Sequence, residues 1–324
     1  MHLLLTLSIL IGSLFAEDYL YVPLPVELQQ AEIVWEERSL EPFEELRITW
    51  NGARPKVGHY TFFVSVCQNR FWSPWLYYGE WLAPGQVMFK DSANTVLTNE
   101  GVIWPRGGKC EGFRVKMSAS AGATLDQTVH LAAHTITRPK LPPEPPAGRL
   151  PFVLLNPFPR QSQITLRHFR YNDLSLPVCL TLVINYLSPE LQLHPLDFAD
   201  RVIDDETGCY ENWSLNIAEA SSCLHGKWTV QMVYFENFAA LHAHLMQGIP
   251  VIASVSGFLM GGPRPFRTEH ALCIIGYDPD LHRIHCIDPA FPNDRATYTT
   301  YDLIDFLTAW ARHRNKAIIL ENLH

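Results

Sequence analysis

The chain has 324 residues, of which 47% are hydrophobic and 18% charged, a globular balance that excludes an intrinsically disordered chain. Its formal net charge of −8 argues against broad electrostatic binding of nucleic acid. Seven cysteines are too few for a disulfide-dense miniprotein, and their odd number leaves at least one thiol unpaired in a monomer. A chain of this length favours two domains.

The first residues have the pattern of a signal peptide. A short apolar run follows Met1 and ends at Ala16, before Glu17. It is too short to span a membrane but fits a signal-peptide core, although no basic residue precedes it and Leu14 lies where a small residue is usual. We expect residues 1–16 to be cleaved and the protein to be secreted or periplasmic. A buried N-terminal strand and an uncleaved anchor are the alternatives.

No later apolar stretch is long enough to span a membrane, so we expect no transmembrane segment in the mature chain.

Residues 17–137 form a predicted β-sandwich domain. Short alternating runs between turns occur near residues 46–50, 60–67, 112–117 and 127–131, which is typical of antiparallel strands. A dense aromatic group contains Trp72, Trp75 and Trp81. These rings either fill the core or form a stacking surface for a sugar or peptide.

A proline-rich linker is predicted at residues 138–150. Prolines there cannot donate to a sheet or extend a helix, so the segment is typical of a semi-rigid spacer. It separates the β-rich part from residues 151–324, which form the second predicted domain and alternate between helical and strand patterns.

Three residues of this second domain form a candidate catalytic set. Ser175 precedes an apolar run with Pro177 in its first turn, which predicts a helix that presents Ser175 at its N-terminus. His270 lies at the start of a predicted strand, and Asp288 lies at the end of the next one. On adjacent antiparallel strands the Asp can hold the imidazole in one tautomer, as a triad requires. A further amphipathic helix is predicted over residues 301–311.

These motifs, in this order, resemble the papain-like cysteine peptidases, in the family-39-like branch related to the bacteriocin-processing double-glycine peptidases. Bacterial secreted relatives often carry an N-terminal β domain, to which Thr-Trp-Asn at 49–51 and Trp-Ser-Pro-Trp at 72–75 correspond. The resemblance implies an α+β protein, with an N-terminal β-sandwich followed by a papain-like domain, and a peptide or protein substrate that includes cell-wall or cell-surface material. It implies no cofactor. The matching segments in the second domain are Pro177, Cys179-Leu180, Ile249-Pro-Val-Ile252, His270-Ala-Leu272 and Asp288-Pro-Ala290.

This sequence departs from the family pattern at the nucleophile. Counted without gaps, the position of the family's Cys falls on Ser175, and Cys179 falls on the second, noncatalytic position of the motif. A shifted helix start would make Cys179 an alternative nucleophile. No Gln lies at the expected oxyanion position, where Arg170 or Asn172 is found, and Glu269 replaces the Gly before His270.

Two functions follow from these residues. The first is a peptidase or amide hydrolase in which Ser175 or Cys179 attacks, His270 acts as general base and Asp288 orients it. The second is a catalytically inactive module that binds peptides or cell-surface glycans, because a site that evolved for sulfur supports a serine poorly. The histidines and cysteines lack metal-site spacing, so we expect no metal.

Overall fold

The computed structural model shows a mixed α+β protein, as the sequence predicts. It divides into two compact units: unit 1 comprises residues 1–138 and 201–226, and unit 2 comprises residues 139–200 and 227–324. Most of the predicted leader and most of the predicted linker lie outside the described residues. Across the described part of the chain, no helix is long and apolar enough to cross a membrane. The structure describes residues 11–12, 16–21, 32–124, 129–137, 145–146, 148–224 and 227–322.

Unit 1 contains two antiparallel sheets. The first has the strand order β1-β2-β13-β4-β11-β10-β9, and the second has the order β3-β12-β5-β7-β8 with β6 paired to β5. The strands are β1 (Ile11–Gly12), β2 (Ala16–Tyr21), β3 (Glu32–Phe43), β4 (Glu45–Asn51), β5 (His59–Gln68), β6 (Phe71–Trp72), β7 (Leu76–Leu82), β8 (Gln86–Met88), β9 (Asp91–Ala93), β10 (Val96–Asn99), β11 (Val102–Pro105), β12 (Cys110–Ser120) and β13 (His130–Ile136).

Aromatic side chains from both sheets share the core of unit 1. Trp50 on β4 stacks on Phe62 on β5 at a centroid distance of 4.2 Å, and Trp81 on β7 lies 6.3 Å from Trp50. All three are completely buried, and each such ring contributes about 1.5–3 kcal/mol to folding by leaving water. Trp81 is therefore a core residue, and no sugar or peptide can stack on it.

A helix from the middle of the chain packs within unit 1. Residues 201–226 were predicted to belong to the second domain, but they pack with the sheets of unit 1. Helix α3 (Trp213–Cys223) makes buried polar contacts there: the Ser214 hydroxyl donates to the Ile48 carbonyl at 2.8 Å, and Arg54 pairs with Glu219 at 3.0 Å. Because Glu219 is nearly completely buried, its charge requires this partner.

All seven cysteines are free thiols. Neither Cys67 nor Cys110 is in a disulfide. Both are buried in unit 1, and burial raises the pKa of each thiol.

Unit 2 is built on a seven-stranded antiparallel sheet. Its strand order is β15-β20-β16-β17-β18-β19, and β14 pairs with β17. Helix α2 (Pro195–Val202) crosses the boundary between the two units. The other elements of unit 2 are β14 (Val153–Leu154), α1 (Ser175–Leu187), β15 (Trp228–Tyr234), α4 (Phe238–Met246), β16 (Val251–Gly257), β17 (Phe266–Asp278), β18 (Arg283–Ile287), β19 (Tyr298–Asp302), α5 (Leu303–Ala311) and β20 (Lys316–Asn322).

Helix α1 packs directly on β17. The Cys179 thiol donates to the carbonyl of Ala271 at 3.4 Å, and the Cys273 thiol donates to the carbonyl of Cys179 at 3.5 Å. The helix is buried on all sides from Ser175 to Ile184, which its continuous apolar sequence predicts. Its N-terminus is thereby fixed beside the middle of β17.

Two element boundaries differ from those predicted. His270 lies inside β17, which begins earlier, at Phe266, where it pairs with Gly257 across a β-bulge. The last helix begins at Leu303 and not at residue 301, because the Asp302 side chain accepts the N–H groups of Ile304 and Asp305 as an N-cap. Tyr301 therefore belongs to β19.

Candidate active site

Ser175 lies in the first turn of α1 with its hydroxyl directed at β17. The Ser175 Oγ accepts a hydrogen bond from the backbone N–H of Ala271 at 3.1 Å. The hydroxyl therefore lies beside the residue that follows His270. At a helix N-terminus the first N–H groups have no carbonyl partner within the helix, so this end favours negative charge. Ser175 is only 1% exposed.

His270 and Asp288 form a buried pair. The Nε2 of His270 lies 2.9 Å from Oδ1 of Asp288, and the side chains are 4% and 0% exposed. A carboxylate only accepts hydrogen bonds, so Nε2 carries the proton that is shared with Asp288. The other ring nitrogen, Nδ1, then holds a lone pair in the neutral imidazole. This is the tautomer in which Nδ1 can act as a general base.

Two further groups hold the Asp288 carboxylate. The Tyr301 hydroxyl donates to Oδ2 at 2.6 Å, and the N–H of Ala290 donates to Oδ1 at 2.9 Å. Burial and the adjacent carboxylate raise the pKa of Tyr301, so its hydroxyl stays protonated and continues to donate. Both carboxylate oxygens are thus fixed, and with them the orientation of the imidazole. The sequence offered no signal for Tyr301, because its role arises from the pairing of β19 with β18.

Phe266 covers one face of the imidazole. Its ring stacks on that of His270 at a centroid distance of 3.9 Å and an interplanar angle of 10°. Phe266 is nearly buried. The stack limits rotation of the His270 ring and shields it from water on that side. Sequence reasoning missed this residue, although Phe266 and His270 are four residues apart on one strand.

Cys179 lies one helical turn beyond Ser175, about 6 Å further along α1. Its side chain is completely buried, and its thiol donates to the backbone of β17. Burial, together with Cys273 and Asp288, raises the pKa of Cys179 well above its ordinary value. Since the thiolate is the nucleophile, these surroundings favour a packing role for Cys179.

The two residues predicted near the oxyanion position lie on the turn before α1. Arg170 pairs with Asp173 at 2.9 Å, with both side chains substantially exposed. Asn172 is exposed within the 3₁₀ turn Tyr171–Asp173.

Gln163 is a further residue that sequence reasoning missed. It is completely buried, and among the described residues neither its amide nitrogen nor its amide oxygen has a hydrogen-bond partner. Its backbone N–H donates to the carbonyl of Pro289 at 2.9 Å, so its backbone lies beside the residue that follows Asp288. A buried unpartnered amide is costly, which suggests a group that a ligand satisfies. The available signal was a Gln upstream of the nucleophile helix, twelve positions before Ser175.

Trp72 and Trp75 lie on unit 1, in a stack that alternates indole rings with cations. Arg38 and Arg114 lie 5.0 and 4.8 Å from the ring centroid of Trp72. Arg114 and Lys116 lie 4.4 and 5.3 Å from that of Trp75. Each such contact contributes about 0.5–1 kcal/mol at an exposed site. A sugar that stacked on these rings would have to compete with cations of the protein itself.

No metal site is visible in the part of the chain that the structure describes, where no three His, Cys, Asp or Glu side chains cluster suitably for an ion. Ser175, His270 and Asp288 supply a hydroxyl, an imidazole and a carboxylate group.

Comparison with known proteins identifies the family of this chain. No curated protein matches it. A crystal structure described as that of a C39-like peptidase from Bacillus anthracis is similar at a TM-score of 0.41 and 14% identity, covering 53% of this chain and 98% of that chain. At that score the likeness supports no argument about the site. A family model, the Peptidase C39-like family, matches residues 155–318, a stretch that contains Ser175, His270 and Asp288. Because this match covers just over half of the residues, the chain belongs to the Peptidase C39-like family.

Proposed function

We propose that this chain is a secreted peptidase-like hydrolase that acts on peptide or amide bonds, with Ser175 as the nucleophile. We interpret unit 1 as a β-sandwich and unit 2 as a papain-like domain. The observation that carries the proposal is the His270–Asp288 pair at 2.9 Å, which leaves Nδ1 of His270 as a base. The Ser175 Oγ accepts the N–H of Ala271, the residue that follows His270, and is the hydroxyl that we assign as the nucleophile.

The proposed reaction proceeds through an acyl-serine. Nδ1 of His270 takes the hydroxyl proton as the Ser175 Oγ attacks the carbonyl carbon of the substrate. The imidazolium, stabilised by Asp288, returns that proton to the leaving amine as the C–N bond breaks. Water then attacks the ester with His270 again as base. The N-terminus of α1 and the buried amide of Gln163 are the donors proposed for the oxyanion.

Turnover by this set is expected to be slow. A hydroxyl has a much higher pKa than a thiol, so Ser175 cannot form the ion pair with His270 that activates a cysteine. Its Oγ already accepts the Ala271 N–H, and the side chain is 1% exposed. A substrate must therefore open the site before attack.

These same observations favour a second candidate function, peptide binding without turnover. The buried and engaged Ser175 hydroxyl is compatible with a site that keeps the family's cleft residues but no longer cleaves. Peptide or protein ligands, including cell-wall or cell-surface material, are the partners proposed for either function.

Digestion of a peptide library separates the two candidates. We expect the wild type to cleave slowly, Ser175→Ala to lose cleavage, Ser175→Cys to accelerate it and Cys179→Ala, the matched control on α1, to retain it. Loss only in Cys179→Ala would contradict the assignment of Ser175. Measurable peptide binding without any cleavage by the wild type would overturn the hydrolase in favour of the binding module.

Export rests on the apolar sequence before Glu17. Fractionation of expressing bacterial cells, followed by N-terminal sequencing, tests it. We expect an extracytoplasmic protein whose N-terminus is residue 17. An uncleaved protein in the cytoplasm would contradict export and leave the site chemistry unaffected.

A further inference from the structure

Several chain segments meet at one end of the sheet of unit 2. Strand β16 ends at Gly257, which pairs with Phe266 at the start of β17. Strand β20 begins at the same end, because its Ala317 pairs with Ala253 of β16. The guanidinium of Arg312, which follows α5, rests on Gly257, where a Cβ would lie 1.7 Å from its Nη1.

Three arginines at this end are exposed and unpaired. Arg264, Arg267 and Arg312, here called the cationic rim, are exposed to solvent. Among the described residues, no acidic side chain forms an ion pair with any of them. The nearby acid, Glu269, is already paired with Lys316. The rim therefore presents three uncompensated guanidinium groups on a chain whose formal net charge is −8.

The rim adjoins the candidate active site. Arg267 follows Phe266, whose ring stacks on His270. Helix α1 begins beside the middle of β17, where Ser175 contacts Ala271, four residues along the strand from Arg267. On the chain segment that leads into α1, Arg167 is exposed too. Positive charge thus occurs on the segments that precede both Ser175 and His270.

Large apolar side chains are exposed on the same chain segments as these arginines. Phe258 and Met260, on the loop after β16, are 58% and 63% exposed, and Phe169, on the segment before α1, is 84% exposed. Exposed rings beside cations are typical of surfaces that bind another molecule. Arginine recognises carboxylates through paired hydrogen bonds, and the apolar side chains favour a peptide over a nucleic acid or a sulfated polysaccharide.

We propose that the cationic rim selects acidic peptides, in which Asp or Glu residues accompany an aromatic or aliphatic residue, as the ligands of the candidate active site. The proposal rests on the proposed function for its placement of the substrate. Arg264 and Arg267 bind the carboxylates, and the exposed rings of Phe258 and Phe169 contact the apolar residue. This complementarity accelerates encounter and makes binding salt-dependent.

Binding to the full chain carrying Ser175→Ala tests the rim without turnover. Three labelled peptides of one length are compared by fluorescence anisotropy: a Glu/Phe peptide, its Gln/Phe counterpart and its Lys/Phe counterpart. We expect the Glu/Phe peptide to bind about tenfold more tightly than the Gln/Phe peptide, and the difference to shrink at high salt. Equal binding of the two peptides would overturn the proposal.

Charge-reversal variants test whether the preference for the Glu/Phe peptide arises from the cationic rim. Arg264→Glu/Arg267→Glu is expected to abolish the preference for the Glu/Phe peptide. Lys56→Glu/Lys90→Glu, which makes the same charge change at exposed sites of unit 1, is expected to preserve it. An equal loss in the control would contradict the assignment to the rim. Equally tight binding of a single-stranded oligonucleotide or of heparin would overturn the commitment to peptides.

The outcomes also separate this inference from the proposed function. Selective binding of the Glu/Phe peptide by Ser175→Ala, with no cleavage by the wild type, would overturn the hydrolase and leave the rim standing. Cleavage by the wild type without preference for acidic peptides would support the hydrolase and overturn the role of the cationic rim.

Discussion

Nε2 of His270 and Oδ1 of Asp288 lie 2.9 Å apart, and this contact determines which imidazole nitrogen is available as a base. Because the carboxylate can only accept, the proton resides on Nε2 and the lone pair on Nδ1. Tyr301 and Ala290 hold the two oxygens of Asp288 in turn. The imidazole of His270 is thus oriented by a buried network of hydrogen bonds.

Without the Asp288 carboxylate as acceptor, the imidazole of His270 should no longer be held with its proton on Nε2. Asp288→Ala is expected to lower any hydrolysis by roughly 10³–10⁴-fold, in line with losses on disturbing a triad carboxylate. Asp288→Asn is expected to lower hydrolysis as strongly, because its amide can donate to Nε2 and so move the proton to Nδ1. Asp200→Asn, at an exposed site on α2, is the matched control and should retain activity. The ¹⁵N shifts of His270 report the tautomer directly. Protonation of Nδ1 in the wild type would contradict the orientation described here.

Removal of the Tyr301 hydroxyl leaves one carboxylate oxygen of Asp288 unpaired in the interior. Tyr301→Phe is expected to lower the free energy of unfolding by about 1–3 kcal/mol and to weaken hydrolysis as Asp288 gains freedom. Tyr77→Phe, at a half-exposed ring of unit 1, should cost less than about 0.5 kcal/mol. Denaturant unfolding measures both. Equal stability of the two variants would show that the Tyr301 contact contributes little.

Glu269 should make folding stability depend on pH. Burial alone would raise the pKa of this carboxyl, but the positive charges of Lys316 and His313 outweigh it and lower the pKa to about 2. A folded pKa below the ordinary value of 4.5 means that the charged form is stabilised by folding. This stabilisation is complete above about pH 5 and is lost as the pH falls through 4.5 towards 2.

Thermal unfolding of Glu269→Gln against the wild type measures this dependence. At pH 7 the variant should be destabilised by about 2 kcal/mol, less than for a completely buried pair because the carboxylate is partly exposed. The difference should shrink steadily between pH 5 and pH 2. Glu321→Gln, at the far end of β20, serves as a control in the same pH range. A difference independent of pH would contradict the ion pair with Lys316.

The candidate site residues could be predicted from the sequence, whereas the residues that contact them could not. Ser175, His270 and Asp288 could be selected because a helix start, two strands and their order are local patterns. Tyr301 and Phe266 could not, because their roles depend on strand pairing and ring packing that no local pattern encodes. Gln163 was missed because it lies further from Ser175 than the expected oxyanion position.

In the fold, too, local sequence patterns predict the helices and strands, whereas tertiary packing decides where they lie. Helix α1 and the paired strands β17 and β18 follow from apolar runs and turns, whereas the placement of α3 does not. Its packing in unit 1 depends on single polar contacts, such as that of Arg54 with Glu219, which link residues far apart in sequence. Trp81 likewise belongs to a predicted aromatic group, yet only packing separates this core ring from the half-exposed Trp72 and Trp75.

Thiol reactivity of Ser175→Cys is the most direct test of the proposed site. The variant is treated with iodoacetamide near pH 7, and peptide mapping gives the labelling rate of each cysteine. We expect the introduced thiol to react at least about tenfold faster than Cys209, the only native cysteine that is not buried, because His270 and the α1 N-terminus favour its thiolate. Addition of His270→Ala should remove that advantage. An introduced thiol that reacts no faster than Cys209, or faster labelling of Cys179, would contradict the placement of the nucleophile at Ser175.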